Sequence, residues 1–291
     1  MNNIHGNRIN NDSLTRDGSG YSGDRLPDFM VSKDKWYRGL AIKYGPDGSA
    51  FVSDWYDARA CHQQKPHDRR NGRIYKIVYL DARQSPVDLA KLSDAELVKL
   101  QLHANDWFVR HARRILQERG ANAETHRALR EMLSDAKLTV PQRLRALWAL
   151  HVTGGFDEAT AKPLLAGKEP WLTAWAIQFL FENEKSQPSN ATLKDLARIA
   201  RIGDSPIVRL YLASALQRIP VEKRWDIAIG LMTHPEDQTD PNLQMMIWYG
   251  LEPLIPSDPP RAASLLAGAK APRLQEFIAR RMASIVAKPK P

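Results

Sequence analysis

Asp204-Ser205-Pro206-Ile207-Val208-Arg209-Leu210-Tyr211-Leu212-Ala213-Ser214-Ala215-Leu216 is the stretch that decides how most of this chain is built. Its apolar residues Val208, Tyr211, Leu212, Ala215 and Leu216 recur three and four apart, the spacing of one helix face. Pro206 opens the run, where a helix's first N–H has no partner anyway, so the ring costs nothing there. The arrangement returns along the chain. Pro170 precedes Leu180, Pro241 precedes Leu251 and Pro272 precedes Met282, each by the same ten residues, and Pro141 precedes Leu150 by nine. In a first copy, Asp106 stands where the proline would be, ten before Leu116. The anchors Leu116, Leu150, Leu180, Leu216, Leu251 and Met282 lie 30 to 36 residues apart, a period typical of paired-helix repeats. Such a unit cannot bury its apolar face alone and must stack on its neighbours.

Working outward, helices are expected over Asp94–Leu102, Phe108–Glu118, Ala123–Leu133, Pro141–Val152, Glu158–Leu165 and Pro170–Phe181. Further helices are expected over Ala191–Ile202, Pro206–Arg218, Lys223–Met232, Pro241–Ile255, Pro260–Ala267 and Pro272–Val286. Asp204 and Asp240 sit just ahead of two of the prolines, as capping residues for the exposed donors. His111, Trp148, Trp171, Trp175, Trp225 and Trp248 fall on these helices and read as packing between repeats. The scattered lysines and arginines read as solvated faces or as stems covering apolar ridges.

Residues 1–80 follow a different grammar. They hold half of the sixteen glycines and no glutamate, whereas Glu, Leu and Ala dominate from Ser93 onward. A boundary is expected near residues 80–92, giving a β segment over 1–85 and a helical-repeat domain over 93–287. Tyr37–Tyr44 and Ser49–Trp55 read as a hairpin around the turn Gly45-Pro46-Asp47-Gly48. Ala50, Val52 and Asp54 share one face of its second strand. Gly72–Tyr79 supplies a third strand, and Asp28–Ser32 a shorter one. The expected fold class is therefore mainly α. An α-solenoid of about six helix pairs follows a small antiparallel β segment of about one propeller blade.

Composition bounds the function. With 291 residues and 43% hydrophobic content, a packed core is within reach and global disorder is excluded. The net charge is +9, but it is spread: residues 1–80 carry 13 Lys+Arg against 9 Asp+Glu. No Lys/Arg run is interleaved with aromatics, so no nucleic-acid partner is expected. The one cysteine, Cys61, permits no internal disulfide, and Cys-x-x-Cys-His for covalent haem is absent. No apolar run reaches the length of a membrane span. The residues MNNIHGNRINND at the N-terminus lack the order of a signal peptide.

The second helices, with Val109-Arg110, Leu144-Arg145 and Val208-Arg209 near their starts, resemble HEAT-like repeats. The first eighty residues carry a more specific likeness. It rests on His5–Asp12 (HGNRINND), Asp17–Tyr21 (DGSGY), Pro27–Phe29 (PDF), Trp36–Gly39 (WYRG), Lys43–Asp57 (KYGPDGSAFVSDWYD), Cys61-His62 and Gly72–Ile77 (GRIYKI). Together these resemble the last part of the propeller in the large membrane-bound dehydrogenase family of planctomycete- and verrucomicrobia-type bacteria. That propeller is similar to those of soluble quinoprotein sugar dehydrogenases, and HEAT-like repeats and often a c-type cytochrome domain follow it.

The resemblance implies a truncated member, because eighty residues supply about one blade where a propeller needs at least about four. It implies a HEAT-like scaffold or protein-interaction domain on the end of a dehydrogenase-like propeller, not catalytic alone. The alternative is part of a quinoprotein-like dehydrogenase oxidising a sugar or alcohol. The implied partner is a protein, or the missing propeller portion. The implied location is periplasmic or extracytoplasmic. No cofactor is expected in this chain alone, although a PQQ-like quinone and a c-type haem belong to the full family.

His5, Arg8, Asn10 and Arg38 are the candidate cofactor-binding residues, and no catalytic residue or metal site is assigned. His5, Asn7, Arg8 and Asn10 form a polar cluster, read either as a loop facing a channel, where Arg and Asn hold an anion or a sugar hydroxyl, or as a solvated loop. Asp54, inside an apolar strand, is expected to pair structurally with Arg38, Arg59 or Arg73 rather than to act as a general base. Cys61, His62, His67 and Asp68 match no common zinc spacing. Asp12, Asp17, Ser19 and Asp24 miss the alternate-position rule of calcium loops and read as a turn-rich loop.

Overall fold

A computed structural model describes residues 1–58, 70–80, 86–120, 122–182 and 187–286. The chain is mainly helical with two small antiparallel sheets, and it divides into two compact units. The first comprises Met1–Thr15 and Tyr21–Thr125, the second Arg16–Gly20 and His126–Pro291.

One sheet, in the first unit except for Arg16–Gly20 at its hairpin tip, has the order β1 (Asn2–Asn3), β2 (Arg8–Asp17), β3 (Gly20–Val31). The other has the order β4 (Gly39–Tyr44), β5 (Ala50–Asp54), β6 (Arg73–Ile77). The β4–β5 turn is the expected Gly-Pro-Asp-Gly, with Gly48 at φ 79° and the Gly45 N–H on Ser49 O at 2.8 Å. Val52 opposes Ile42 on β4 and Tyr75 on β6. It is fully buried in a small core with Ile9 and Tyr37, against which Met30 and Ile77 pack. After the sheets come α1 (Asp94–Lys99) and α2 (Asp106–Arg119), with Leu97, Val109, Ala112 and Leu116 buried. Ser93 and Glu96 form a reciprocal cap on α1. Asn105 caps α2 and also donates to the carbonyls of Gly45 and Pro46, and Tyr44 donates to Asp106, so the β4–β5 turn is fastened to the start of α2.

The division falls in the first turn of α3 (Ala123–Ser134). There follow α4 (Val140–Val152), α5 (Glu158–Leu165), α6 (Pro170–Leu180), α7 (Asn190–Ile202) and α8 (Pro206–Leu216). Last come α9 (Trp225–Leu231), α10 (Pro241–Leu251), α11 (Leu254–Ser257), α12 (Pro259–Gly268) and α13 (Pro272–Val286). Each expected proline stands in the first turn of its helix. Helices two apart in sequence are neighbours. One series runs α4 on α6, α6 on α8 and α8 on α10, the other runs α5 on α7 and α7 on α9, and α10 then packs on α13, three helices further on. Close approach is built into both. A Cβ on Gly250 of α10 would come 2.5 Å from Leu216 Cβ on α8, and one on Gly230 of α9 would come 2.9 Å from Ala200 Cβ on α7. The anchors Leu116, Leu150, Leu180, Leu216 and Leu251 are buried, while Met282 is half-buried. Each fully buried leucine contributes roughly 1.5–3 kcal/mol.

Three expectations are corrected. Arg8–Asp17 and Gly20–Val31 form a long hairpin where a turn-rich loop and one short strand are expected. Asp240 caps α10, but Ser205, not Asp204, caps α8, with its hydroxyl accepting the Val208 N–H. Not all helical arginines are solvated. Arg209 is 1% exposed, holds both oxygens of Asp237 at 2.7 and 2.5 Å, and donates to Gly203 O. Arg224, also buried, donates to the carbonyls of Ile219, Gly250 and Gln217.

Candidate functional site

The polar residues of the first unit gather at two places. The first is Asp28 on β3, whose side chain is largely buried. Arg8 Nη1 donates to Asp28 Oδ2 at 2.8 Å, and Asn10 Nδ2 to Oδ1 at 2.9 Å from the neighbouring strand. Arg25 adds a longer contact at 3.3 Å. Burial is the largest single influence on this carboxyl and pushes it up, but the bonds from Arg8, Arg25 and Asn10 outweigh it and hold it below its ordinary value. Arg8 Nε also donates to Gly6 O, and the Asn10 side-chain oxygen accepts from Asn3. Arg8 and Asn10 thus meet on one carboxylate, from strand β2 rather than from a loop. His5 lies in the turn before β2, exposed, with its backbone N–H on Asn3 Oδ1.

Asn7, in the same turn, has a left-handed backbone (φ 51°), which Asn tolerates better than most residues. Its amide donates to Lys35 O and Tyr37 O at 2.8 Å each. That fixes the segment leading to the second polar place, around Arg38 and Asp54.

Arg38 is 6% exposed. Its Nη1 donates to the carbonyls of Lys35 and Tyr37 and its Nη2 to Ala58 O at 2.7 Å, so four polar contacts already draw on it once its backbone is counted. Asp54 is 5% exposed, as expected for the inner face of β5. Among the described residues its partners are backbone groups rather than arginine side chains: Oδ1 accepts the backbone N–H of Arg38 at 2.7 Å and of Tyr56 at 2.9 Å. Arg73 instead lies over the Tyr56 ring, its guanidinium carbon 4.5 Å from the ring centre. Arg59, Cys61, His62, His67 and Asp68 lie outside the described residues.

Tyr37 and Tyr75 face each other across this place, ring centres 6.2 Å apart. Burial raises both phenols above their ordinary pKa, and the charge of Asp54 adds to it. Both therefore stay protonated donors at neutral pH. Among the described residues, no group of three or more His, Cys, Asp or Glu could hold a metal ion. No helix among them is long and apolar enough to cross a membrane. Arg8 and Asn10 meet on Asp28, a residue the sequence reading did not single out. The signal was there: a single carboxylate within the PDF stretch, two residues before the apolar Met30 on the same strand face.

Residues 3–81 match the model of a family described as a domain of unknown function, DUF7133. This covers the β segment and none of the helices. No curated protein and no solved structure matches the chain.

Proposed function

We propose that the chain is a non-catalytic scaffold: a HEAT-like α-solenoid attached to the closing part of a dehydrogenase-like β-propeller. The observation that carries the reading is the helix packing of the second unit. Most of the strongest packing is between helices two apart in sequence, which supports stacked pairs. Surfaces of such stacks commonly serve protein partners.

The β segment supports the propeller half of the reading by what it leaves exposed. Ile74 on β6 is 76% exposed, and Tyr79 and Leu80 just after it are 84% and 79% exposed. A three-stranded sheet ending in bare apolar residues is marginal alone and suits further strands supplied by a protein partner or by the rest of a propeller. Three of the four candidate cofactor-binding side chains are already engaged, Arg8 and Asn10 on Asp28 and Arg38 on backbone carbonyls, while His5 is exposed. Catalysis by this chain alone is therefore not part of the reading, and an extracytoplasmic location follows only from the same resemblance.

The test is to map the transcript that covers Met1 and to express the coding region ahead of it together with this chain. The reading expects further blades to be encoded there, in frame or as a polypeptide that co-purifies with this chain in equal amounts. A transcript without blade-coding sequence contradicts it. So does stoichiometric binding of a pyrroloquinoline quinone by this chain alone in equilibrium dialysis.

A further inference from the structure

Three helices of the second unit present no charge on their outer side. α6 and α10 contain no Asp, Glu, Lys, Arg or His, and the one charged residue of α8, Arg209, is buried on Asp237. The residues these helices leave half-buried or exposed recur three and four apart, one stripe per helix. They include Trp171 and Trp175 on α6, Ile207, Leu210 and Tyr211 on α8, and Met245 and Tyr249 on α10. The stripes lie side by side: the Trp175 ring is 5.2 Å from that of Trp148 on α4 and 6.2 Å from that of Tyr211, and α8 packs on α10. Tyr249 is 51% exposed. The outward stripe of α7 is different. It carries Lys194, Arg198 and Arg201, all exposed, as a solvated face does. Rows of Trp, Tyr and Met without charge are the composition of an interface core.

Charge and area point to the occupant. The chain carries a net charge of +9, so two copies repel through most of their surfaces, and the stripes of α6, α8 and α10 are where they can meet without burying a charge. Each of the three helices has 11 residues. With α4 and α13 on either side, helices about 16 Å long and 8–10 Å apart give a footprint on the order of 700 Å². A stable interface takes roughly 800 Å² from each partner. The charged residues of α4 and α13 then fall on the rim, where interfaces tolerate them. We propose that the chain forms a twofold dimer through the outer stripes of α6, α8 and α10. An axis over α8 lays α6 of one protomer on α10 of its partner, so that Trp175 meets the methionine and tyrosine side chains of the opposite stripe. The dimer needs only that these three helices lie side by side, and it stands apart from the dehydrogenase likeness.

The test is the mass of the full chain in solution, by light scattering across a concentration series, with circular dichroism to confirm that each variant is folded. The proposal expects twice the mass of one chain at micromolar concentration. Tyr249→Lys should weaken the dimer about tenfold or more, and Leu210→Glu further, because the new carboxylates of the two copies would stand close to the axis. Arg198→Glu, on the solvated stripe of α7, should leave the dimer intact. A chain that is monomeric at every concentration overturns the proposal. So does a dimer that survives both Tyr249→Lys and Leu210→Glu, or one that Arg198→Glu dissociates, since either places the contact on another face. Should Leu210→Glu fail to fold, the exposed position 249 decides. A folded monomer would leave the stacking of the helices standing, so the two readings fail separately.

Discussion

Gly39 and Arg209 show how much rests on single side chains here. A methyl group at position 39 has nowhere to go, because Tyr37 Oη and Asn2 Oδ1 already stand over the Cα. Gly39→Ala is expected to destabilise the first unit by about 1–3 kcal/mol, read as a lower urea midpoint with an unchanged slope. Arg209 poses the opposite problem, a buried charge that is matched. Removing only its partner, in Asp237→Ala, leaves the guanidinium at 1% exposure without its two shortest bonds. About 3–5 kcal/mol of stability should be lost. Replacing both residues together, as Arg209→Met with Asp237→Leu, should recover most of that loss in thermal melts. If the double variant is no more stable than the single one, the ion pair does more than satisfy itself. The sequence marks Arg209 only as a cation on a helix; its partner lies 28 residues away in the chain, and no local pattern pairs them.

At the scale of elements, what was legible follows the physics of each. Most helices were legible, since a proline stands in the first turn of α4, α6, α8, α10 and α13 with apolar residues recurring behind it, but the helix expected over Pro241–Ile255 breaks after Leu251 into α10 and α11 at Glu252-Pro253. The β4–β5 hairpin was legible from its turn. The β2–β3 hairpin was not, because its strands carry few apolar residues and only Ile9 on β2 is fully buried. β3 also contains Pro27, tolerated because β3 is an edge of its sheet, where a missing N–H costs no ladder bond. Asp240 links this scale to solution behaviour. Burial alone would raise its carboxyl. The N–H groups of Leu243, Ser19 and Asn242 and the Ser19 hydroxyl together hold it below its ordinary 3.8. A depressed folded pKa means that its stabilisation is complete above about 3.8 and fades as pH falls through the lower, folded value. Asp240→Ala should therefore cost about 0.5–2 kcal/mol at neutral pH, and the gap to the parent chain should narrow in acid. A gap that is constant from neutral pH down to pH about 2 contradicts the assignment.

At the scale of the whole molecule, the helical period was written in the sequence and the convergence of polar side chains was not. Stacking needs only a period, which one chain displays. A site is defined by which side chains converge, and Asp28, Tyr37 and Asn2 entered only through long-range geometry. If helix pairs stack as proposed, each depends mainly on its neighbours. The most direct measurement is thermal unfolding, followed by circular dichroism, of the chain stopped after Leu251, which removes α11, α12 and α13. The account predicts a cooperative transition at a lower temperature, with helical signal reduced only in proportion to the residues removed. A shortened chain that melts without a transition, or loses helix throughout, would contradict stacked pairs and indicate a single interdependent bundle.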